Sequence, residues 1–254
     1  MTEFSGSGDP VRSLELLWRV HTPPTRGPKQ RLDLDQIVSA AIALADAEGL
    51  GALSMRKVAE RLKVGTMSLY TYVPGKPELL DLMLDAAIEM SAPYDADAPW
   101  RARLEHVARE NWDRFHRHPW LLEVTPLRPV LGPNTIARYD HELTALDGIG
   151  LTDVEMDSAL TLLNAHTESA ARRALEAAQA EQRSGITDEQ WWAARAPVLE
   201  RVIEPGRFPL AGRVGTAAGE VHNAAYAPEH AFVFGLERVL DGVEFLIQSR
   251  ASDG

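Results

Sequence analysis

The stretch LSMRKVAERLKVGTMSLYTYVPGKPELLDLML, residues 53–84, decides the fold of this chain. Its apolar spacing and its capping residues predict a helix over about 54–62, a second over 66–73 and a longer third over 76–91. Two short helices joined by a tight turn can place one helix in the major groove of DNA while the other braces it. The stretch therefore predicts a helix-turn-helix.

The side chains of this helix pair divide between packing and solvent. We expect apolar contacts between the helices from Val58, Leu62, Val64, Met67 and Leu69. The outward residues of the second helix carry hydroxyls and aromatic rings, which suit phosphates, base edges and thymine methyl groups. They are Thr66, Ser68, Tyr70, Thr71 and Tyr72. Arg56 begins the bracing helix within reach of a guanine edge, and Lys76 begins the next helix, where an ammonium group suits a phosphate.

Charge is segregated along the sequence. The chain has a net charge of −11, yet residues 10–76 hold ten Lys and Arg against six Asp and Glu, a net of +4. Residues 77–254 hold sixteen against twenty-nine, a net of −13. A basic segment on an acidic protein is compatible with nucleic-acid binding, although charge alone gives equal weight to a solvated basic helix pair.

The composition limits the function classes. The 254 residues include no cysteine, which excludes disulfides and thiolate chemistry. The opening MTEFSGSGDP lacks the basic start and apolar run of a secretory signal, and no apolar stretch approaches the length of a membrane span. We therefore expect a cytoplasmic protein without a membrane partner.

The periodicity of the remaining chain is helical, and three regions are predicted. Residues 1–30 form a flexible N-terminal extension with a basic arm, RGPKQR, at its end. Residues 31–91 form the helix-turn-helix domain, and residues 99–250 form a larger helical domain for ligand binding and dimerisation. Within that domain residues 204–220 are predicted as a loop. The predicted fold class is all-α.

Residues 31–91 resemble the tetracycline-repressor (TetR) family of bacterial transcription regulators. The resemblance rests on LSMRKVAERLKV, then SLYTYV, then a lysine before the next helix. It implies that Arg56, Thr66 and Met67 face bases. It implies contacts to phosphates or to the groove for Ser68, Tyr70, Tyr72 and Lys76. One departure is Lys63, which stands where the family usually has a glycine in a left-handed conformation, at a cost of about 1 kcal/mol.

Aromatic and polar side chains fall on otherwise apolar helices of the larger domain, and a small-molecule cavity needs such a combination. The candidates are Trp112, His116, Trp120, Asn134, Asn164, Glu168, Trp191 and Trp192. The alternative is that the tryptophans belong to the core and that each polar group is exposed or satisfied by a neighbour. His116 and Glu168 lack the spacing of metal ligands, so neither a metal nor a cofactor is predicted.

The last helix carries one apolar stripe, which includes Phe232, Leu236, Val239, Leu240 and Val243. Residues 99–134 resemble the start of the second domain of the same family. This resemblance implies that the last helix and the helix over about 152–184 form a homodimer interface. Since an intramolecular core requires a similar stripe, both interpretations stay open.

These observations predict a homodimeric transcriptional regulator. We expect a repressor that a small-molecule effector releases from an inverted-repeat operator in double-stranded DNA. An architectural DNA-binding protein that responds to no ligand is one alternative. A helical enzyme is another, although the sequence has no G-x-S-x-G, H-E-x-x-H, P-loop or dinucleotide fingerprint.

Overall fold

The computed structural model describes residues 3–20, 32–88, 94–95, 97–126, 128–204, 206–222 and 227–252. Within these ranges the chain forms eleven α-helices and one pair of short parallel strands, so the all-α prediction is confirmed. In the same ranges no helix is both long and apolar enough to cross a membrane.

The N-terminal part of the fold is small and is built from one strand and five helices. They are β1 (Glu3–Ser5), α1 (Pro10–Leu17), α2 (Leu34–Glu48), α3 (Met55–Leu62), α4 (Thr66–Tyr70) and α5 (Lys76–Ala86). The side chains of Ile37, Val58, Leu69, Leu79 and Met83 are fully buried where α2 to α5 meet. We call α2 to α5 the head.

The C-terminal part, which we call the body, is larger and is built around two long helices. Its elements are α6 (Trp100–Arg117), β2 (Val124–Pro126), α7 (Pro133–Leu143), α8 (Asp153–Ser184), α9 (Asp188–Val202), α10 (Pro209–His222) and α11 (Pro228–Ser252). Helix α8 packs against both α6 and α11. Their shared core includes Leu104, Leu160, Leu163 and Leu240, all nearly inaccessible to solvent.

The N-terminal residues differ from the predicted flexible extension. Residues 3–20 form β1, which pairs with β2 of the body, and α1, which packs against α5 of the head. Leu16 and Leu17 are buried there, and the Gly6 N–H donates to the buried carboxylate of Asp81 at 2.9 Å. Burial of two leucines and pairing of backbone groups offset the entropy of ordering the segment. Residues 21–31, with the predicted basic arm, lie outside the described residues.

A second correction concerns the predicted loop over residues 204–220. Most of it forms α10, which starts with Pro209, a residue suited to the first turn of a helix. The glycines that suggested a loop weaken a helix by only about 1 kcal/mol each. Within the described residues 188–202 and 209–222, no side chain of α9 or α10 is buried. These two helices therefore add surface to the body rather than core.

Candidate functional site

The helix-turn-helix consists of α3 and α4 joined by three residues. Ser54 caps α3, where its hydroxyl accepts from the Lys57 N–H at 3.3 Å. Lys63 ends α3 in the left-handed conformation, with φ 57° and ψ 40°, and its N–H donates to the Ala59 and Glu60 carbonyls. A lysine at this position therefore keeps the turn geometry for which a glycine would be less strained.

Helix α4 is anchored by one side and presents the other to solvent. Leu69 and, just beyond the helix, Val73 are fully buried against the head. Met67 is 78% exposed, so the predicted packing role of this residue is wrong. Its outward position is the one that contact with bases requires. Tyr72 is half-buried against the core of the head, where it supports α4.

The remaining residues predicted to contact DNA lie around α4 on the surface of the head. Ser68, Tyr70 and Thr71 are exposed, and Thr66 is half-exposed. Arg56 at the start of α3 is 3.6 Å from Glu60 (Nε to Oε1), and both side chains are mostly exposed. Such a surface ion pair is worth little and can be exchanged for contacts with DNA. Lys76 is half-buried at the first position of α5.

The structure does not bring the eight predicted ligand-binding residues together. Trp112 stacks on Phe232 of α11 with ring centroids 4.4 Å apart, and His116 packs on Trp112 at 4.6 Å. Trp191 and Trp192 lie on the surface of α9, where the guanidinium of Arg195 sits over the Trp191 ring. Trp112 and His116 therefore pack in the body, whereas Trp191 and Trp192 lie on its surface, and these four residues do not line one cavity.

Two further candidates connect the head to the body. Trp120 is 1% exposed, and its indole N–H donates to Asp46 Oδ1 of α2 at 2.8 Å. Asn134 is the second residue of α7, and its side-chain amide donates to the backbone carbonyl of Asp85 on α5 at 3.2 Å. The sequence could identify both as polar groups that need a partner, but it could not show that the partners belong to the other domain.

Asn164 belongs to a buried polar cluster between α6, α7 and α8. The carboxylate of Glu142 accepts from Asn164 Nδ2 at 3.2 Å and from Asn111 Nδ2 at 3.1 Å. It also accepts from the Nε of Arg138 at 2.7 Å. The charge of Glu142 is therefore matched by Arg138 inside the body.

A cavity of about 280 Å³ lies beside this cluster, where the end of α5 meets α6, α7 and α8. Its apolar walls come from Leu84, Ile88, Phe115, Leu121, Val124 and Val130. Its polar walls come from Ser5, Arg114, Thr135, Arg138 and Glu168. Of the predicted ligand residues only Glu168 borders this cavity. A mostly apolar cavity with a few polar groups is what small-molecule sites have in common.

Arg114 is the most deeply buried charged residue on the cavity wall, and it is not among the ligand residues predicted from the sequence. It is 5% exposed, and its Nη1 has no hydrogen-bond partner among the described residues. Burial, followed by the nearby charge of Arg138, lowers the pKa of Arg114 to about 9. The available signal was its spacing, because it continues the buried stripe of α6 that runs through Leu104, Val107 and Asn111.

The residues predicted for the dimer interface lie mainly inside one chain. Phe232, Leu236, Leu240 and Val243 are buried against α6 and α8, so the intramolecular interpretation of the stripe is correct for them. Only Val239 is partly exposed, and it borders a groove of about 480 Å³ between α8 and α11. The other apolar side chains along this groove are Ala159, Leu162, Val243 and Leu246.

The sequence matches two families that together cover both parts of the fold. Residues 37–83 match the bacterial regulatory proteins of the tetR family, and residues 92–247 match the tetracyclin repressor-like C-terminal domain. The HTH-type transcriptional repressor DrrR1 of Streptomyces coeruleorubidus is 47% identical over 99% of this chain and 92% of its own length.

Solved structures agree with these matches. ActR of Streptomyces coelicolor, in complex with actinorhodin, is 27% identical and superposes with a TM-score of 0.69 over 83% of this chain and 94% of its own. The complex of ActR with (S)-DNPA, also 27% identical, gives a TM-score of 0.64 over 84% of this chain and 97% of its own. The chain described here belongs to the tetracycline-repressor (TetR) family of bacterial transcription regulators.

Proposed function

We propose that this protein is a homodimeric transcriptional repressor that binds an inverted-repeat operator and is released from it by a small molecule. The observation that carries the proposal is the exposed face of α4, held on the buried side chains of Leu69 and Val73. A helix fixed in this way can enter the major groove without first ordering itself. The DNA partner implies that the protein acts in the cytoplasm.

The basic character of the head supports the DNA-binding step. Arg56, Arg61 and Lys63 are exposed on or just after α3, and Met67 and Tyr70 are exposed on α4. Arginines and lysines bind phosphates and displace counterions, while the α4 side chains reach base edges and methyl groups. The acidic body is expected to face away from the duplex.

The outer face of α8 and α11 supports the homodimer. The groove between these helices is bordered by Leu162, which is exposed, and by Val239 and Leu246, which are partly exposed. Two aromatic side chains of α11, Phe234 and Phe245, are also exposed. A second copy that packs its α8 and α11 on this face would cover the apolar surface and fix the spacing of two heads.

The cavity of the body supports the release step. It lies against the end of α5, the last helix of the head, and against the start of α7. A ligand shifts the population of two arrangements only by binding one of them more tightly. A hundredfold loss of operator affinity requires a preference of about 2.7 kcal/mol. DrrR1, by its name a repressor, and ActR, crystallised with actinorhodin, support the same function.

The proposal is tested by binding to the intergenic DNA beside the gene of this protein, searched for an inverted repeat. Arg56→Ala is expected to weaken binding to the specific site by about 1–3 kcal/mol, because it removes a base contact. Lys76→Ala is expected to weaken specific and random DNA alike and to reduce the salt slope by about one.

Arg183→Ala, at the far end of α8, is the matched control and should bind like the wild type. Competition titrations at several salt concentrations separate the three variants. Equal losses on random DNA for Arg56→Ala and Lys76→Ala would contradict their assigned roles. Operator binding that no small molecule changes would favour the architectural alternative, and turnover of a substrate would favour an enzyme.

A further inference from the structure

We infer that the body cavity recognises its ligand through an acidic oxygen, a carboxylate or an ionised phenol, which binds the guanidinium of Arg114. The inference rests on the proposed function, since it gives the chemical class of the effector. It is carried by three features of the cavity: a buried cation without a full set of partners, a surplus of positive over negative groups on the wall, and a second buried polar group, a hydroxyl without a partner.

The first feature is the state of Arg114. Its guanidinium borders the cavity, the residue is 95% buried, and Nη1 lacks a hydrogen-bond partner among the described residues. A buried charged donor without a partner is costly, so natural proteins usually provide a partner. Burial and the proximity of Arg138 lower the pKa of Arg114 more than Glu142 and Glu110 raise it, and an anion at this place would oppose the two larger effects.

The second feature is the balance of charged groups around the cavity. Glu142 is the buried carboxylate of the polar cluster beside the cavity. It already accepts from Arg138 at 2.7 Å and from two asparagine amides. Glu168, the carboxylate on the cavity wall, is half-exposed and pairs with Arg172 at 2.9 Å. Both carboxylates are therefore engaged by other groups. An acidic ligand would add negative charge and a hydrogen-bond acceptor beside Arg114, where Glu142 and Glu110 offset burial and Arg138 only in part.

The third feature is the part of the cavity wall that β1 provides. Ser5 is fully buried, borders the cavity and has a hydroxyl without a hydrogen-bond partner among the described residues. It belongs to β1, which reaches the body by pairing with β2. A ligand oxygen between Arg114 and Ser5 could accept from both, while Phe115 and Leu121 contact its apolar part. The expected ligand is therefore a mainly apolar molecule with one acidic oxygen.

The test compares 2-naphthoate with the neutral 2-naphthamide, which has the same shape, and with 2-naphthol, a smaller phenol that ionises near neutral pH only if the site favours its anion. The full-length protein is titrated with each probe, and binding is measured by calorimetry and by the change in tryptophan fluorescence. We expect at least one of the two acidic probes to bind roughly tenfold or more tightly than the amide, because a hydrogen bond to a charged group contributes more than a neutral one. The preferred acidic probe identifies the oxygen as carboxylate or phenol.

Variants locate the interaction. Arg114→Met keeps the length of the side chain and should reduce the preference for the acidic probe to less than about threefold. Ser5→Ala should weaken the acidic probe several-fold and the amide less. Arg109→Met, which removes an exposed arginine of α6 that does not border the cavity, is the matched control and should keep the wild-type preference. Circular dichroism checks that each variant is folded.

Three results would overturn the inference: no binding of either acidic probe to the wild type, equal affinity for acid and amide, or an unchanged preference in Arg114→Met and Ser5→Ala. Operator binding by the unliganded wild type is measured separately. If operator binding is intact and the acidic probes fail, the inference fails and the proposed repressor function stands. If the operator is not bound at all, the proposed function fails, while probe binding still decides the chemistry of the cavity.

Discussion

Asp85 on α5 accepts two hydrogen bonds from Thr135 on α7, one from the backbone N–H and one from the hydroxyl, each at 2.9 Å. The carboxylate thereby caps the first turn of α7, which is preceded by Gly132 and so has no capping side chain of its own. A Cβ at Gly132 would overlap the Asp85 carboxylate, so the approach of α5 to α7 requires glycine at this position. Because Thr135 also borders the cavity, this contact connects the cavity, the proposed ligand site, to the head.

Removing the hydroxyl of Thr135 should therefore affect both stability and release from DNA. Thr135→Val keeps the shape of the side chain and leaves the buried Asp85 carboxylate with fewer donors, so we expect the free energy of unfolding to fall by about 1–3 kcal/mol. Thr161→Val, on the exposed side of α8, is the matched control and should change stability by less than about 0.5 kcal/mol. Urea unfolding measures both.

The same variant tests the coupling. If Asp85 and Thr135 transmit the effect of the ligand, Thr135→Val should respond less to an effector in operator-release titrations. An unchanged response in a variant that is measurably less stable would show that the contact is structural only and that another connection, such as Trp120 to Asp46, couples the two parts.

The left-handed conformation of Lys63 gives a prediction that concerns stability alone. Lys63→Gly should raise the free energy of unfolding by about 1 kcal/mol, because glycine adopts a positive φ without the clash of a Cβ. Lys63→Ala removes the same charge and keeps the Cβ, so it should give no such gain. Urea denaturation of the three proteins is the measurement, and equal stability of the glycine and alanine variants would show that the turn is not strained.

The parts of the fold that the sequence predicts are those that depend on local pattern. The helix-turn-helix is specified within about twenty residues by caps, apolar spacing and a turn, and the structure has both helices there, with α4 ending three residues earlier than predicted. The pairing of β1 with β2 joins residues about 120 positions apart, and three-residue strands leave no periodicity to detect.

Of the walls of the cavity the sequence predicts only Glu168, for a related reason. Half of the predicted set are tryptophans, and a tryptophan serves equally in a core, as Trp120 does, or on a surface, as Trp191 does. The informative residue was a charge on a buried stripe, Arg114, since a charge at such a position needs a partner. Whether this partner is another residue of the chain or a ligand depends on tertiary contacts, which cannot be predicted from the spacing of residues along one helix.

The outer face of α8 and α11 gives a prediction about assembly. Leu162→Glu places a charge in the groove between these helices and should yield a folded monomer, because the charge would be buried only in the dimer. Leu236→Glu, on the buried side of α11, should instead unfold the body, since Leu236 is 2% exposed within one chain. Light scattering combined with circular dichroism separates the two outcomes, and a folded dimer of Leu162→Glu would place the interface elsewhere.

The close crossing of α8 and α11 at Gly235 gives the last prediction. A Cβ on Gly235 would overlap the imidazole of His166, whose Nε2 lies 2.9 Å from the carbonyl oxygen of Phe232. Gly235→Ala should therefore lower the free energy of unfolding by about 1–3 kcal/mol, because overpacking outweighs the gain of about 1 kcal/mol that alanine gives an exposed helix.

Two further variants decide whether the imidazole is the cause. In the background of His166→Ala, Gly235→Ala should cost much less, and a double-mutant cycle measured by urea unfolding gives the difference. Gly212→Ala on α10, where a Cβ would meet no atom within 4 Å, should leave stability unchanged or raise it slightly. If Gly235→Ala costs as much without the imidazole as with it, then the backbones of α8 and α11, rather than one side chain, set the separation of the two helices.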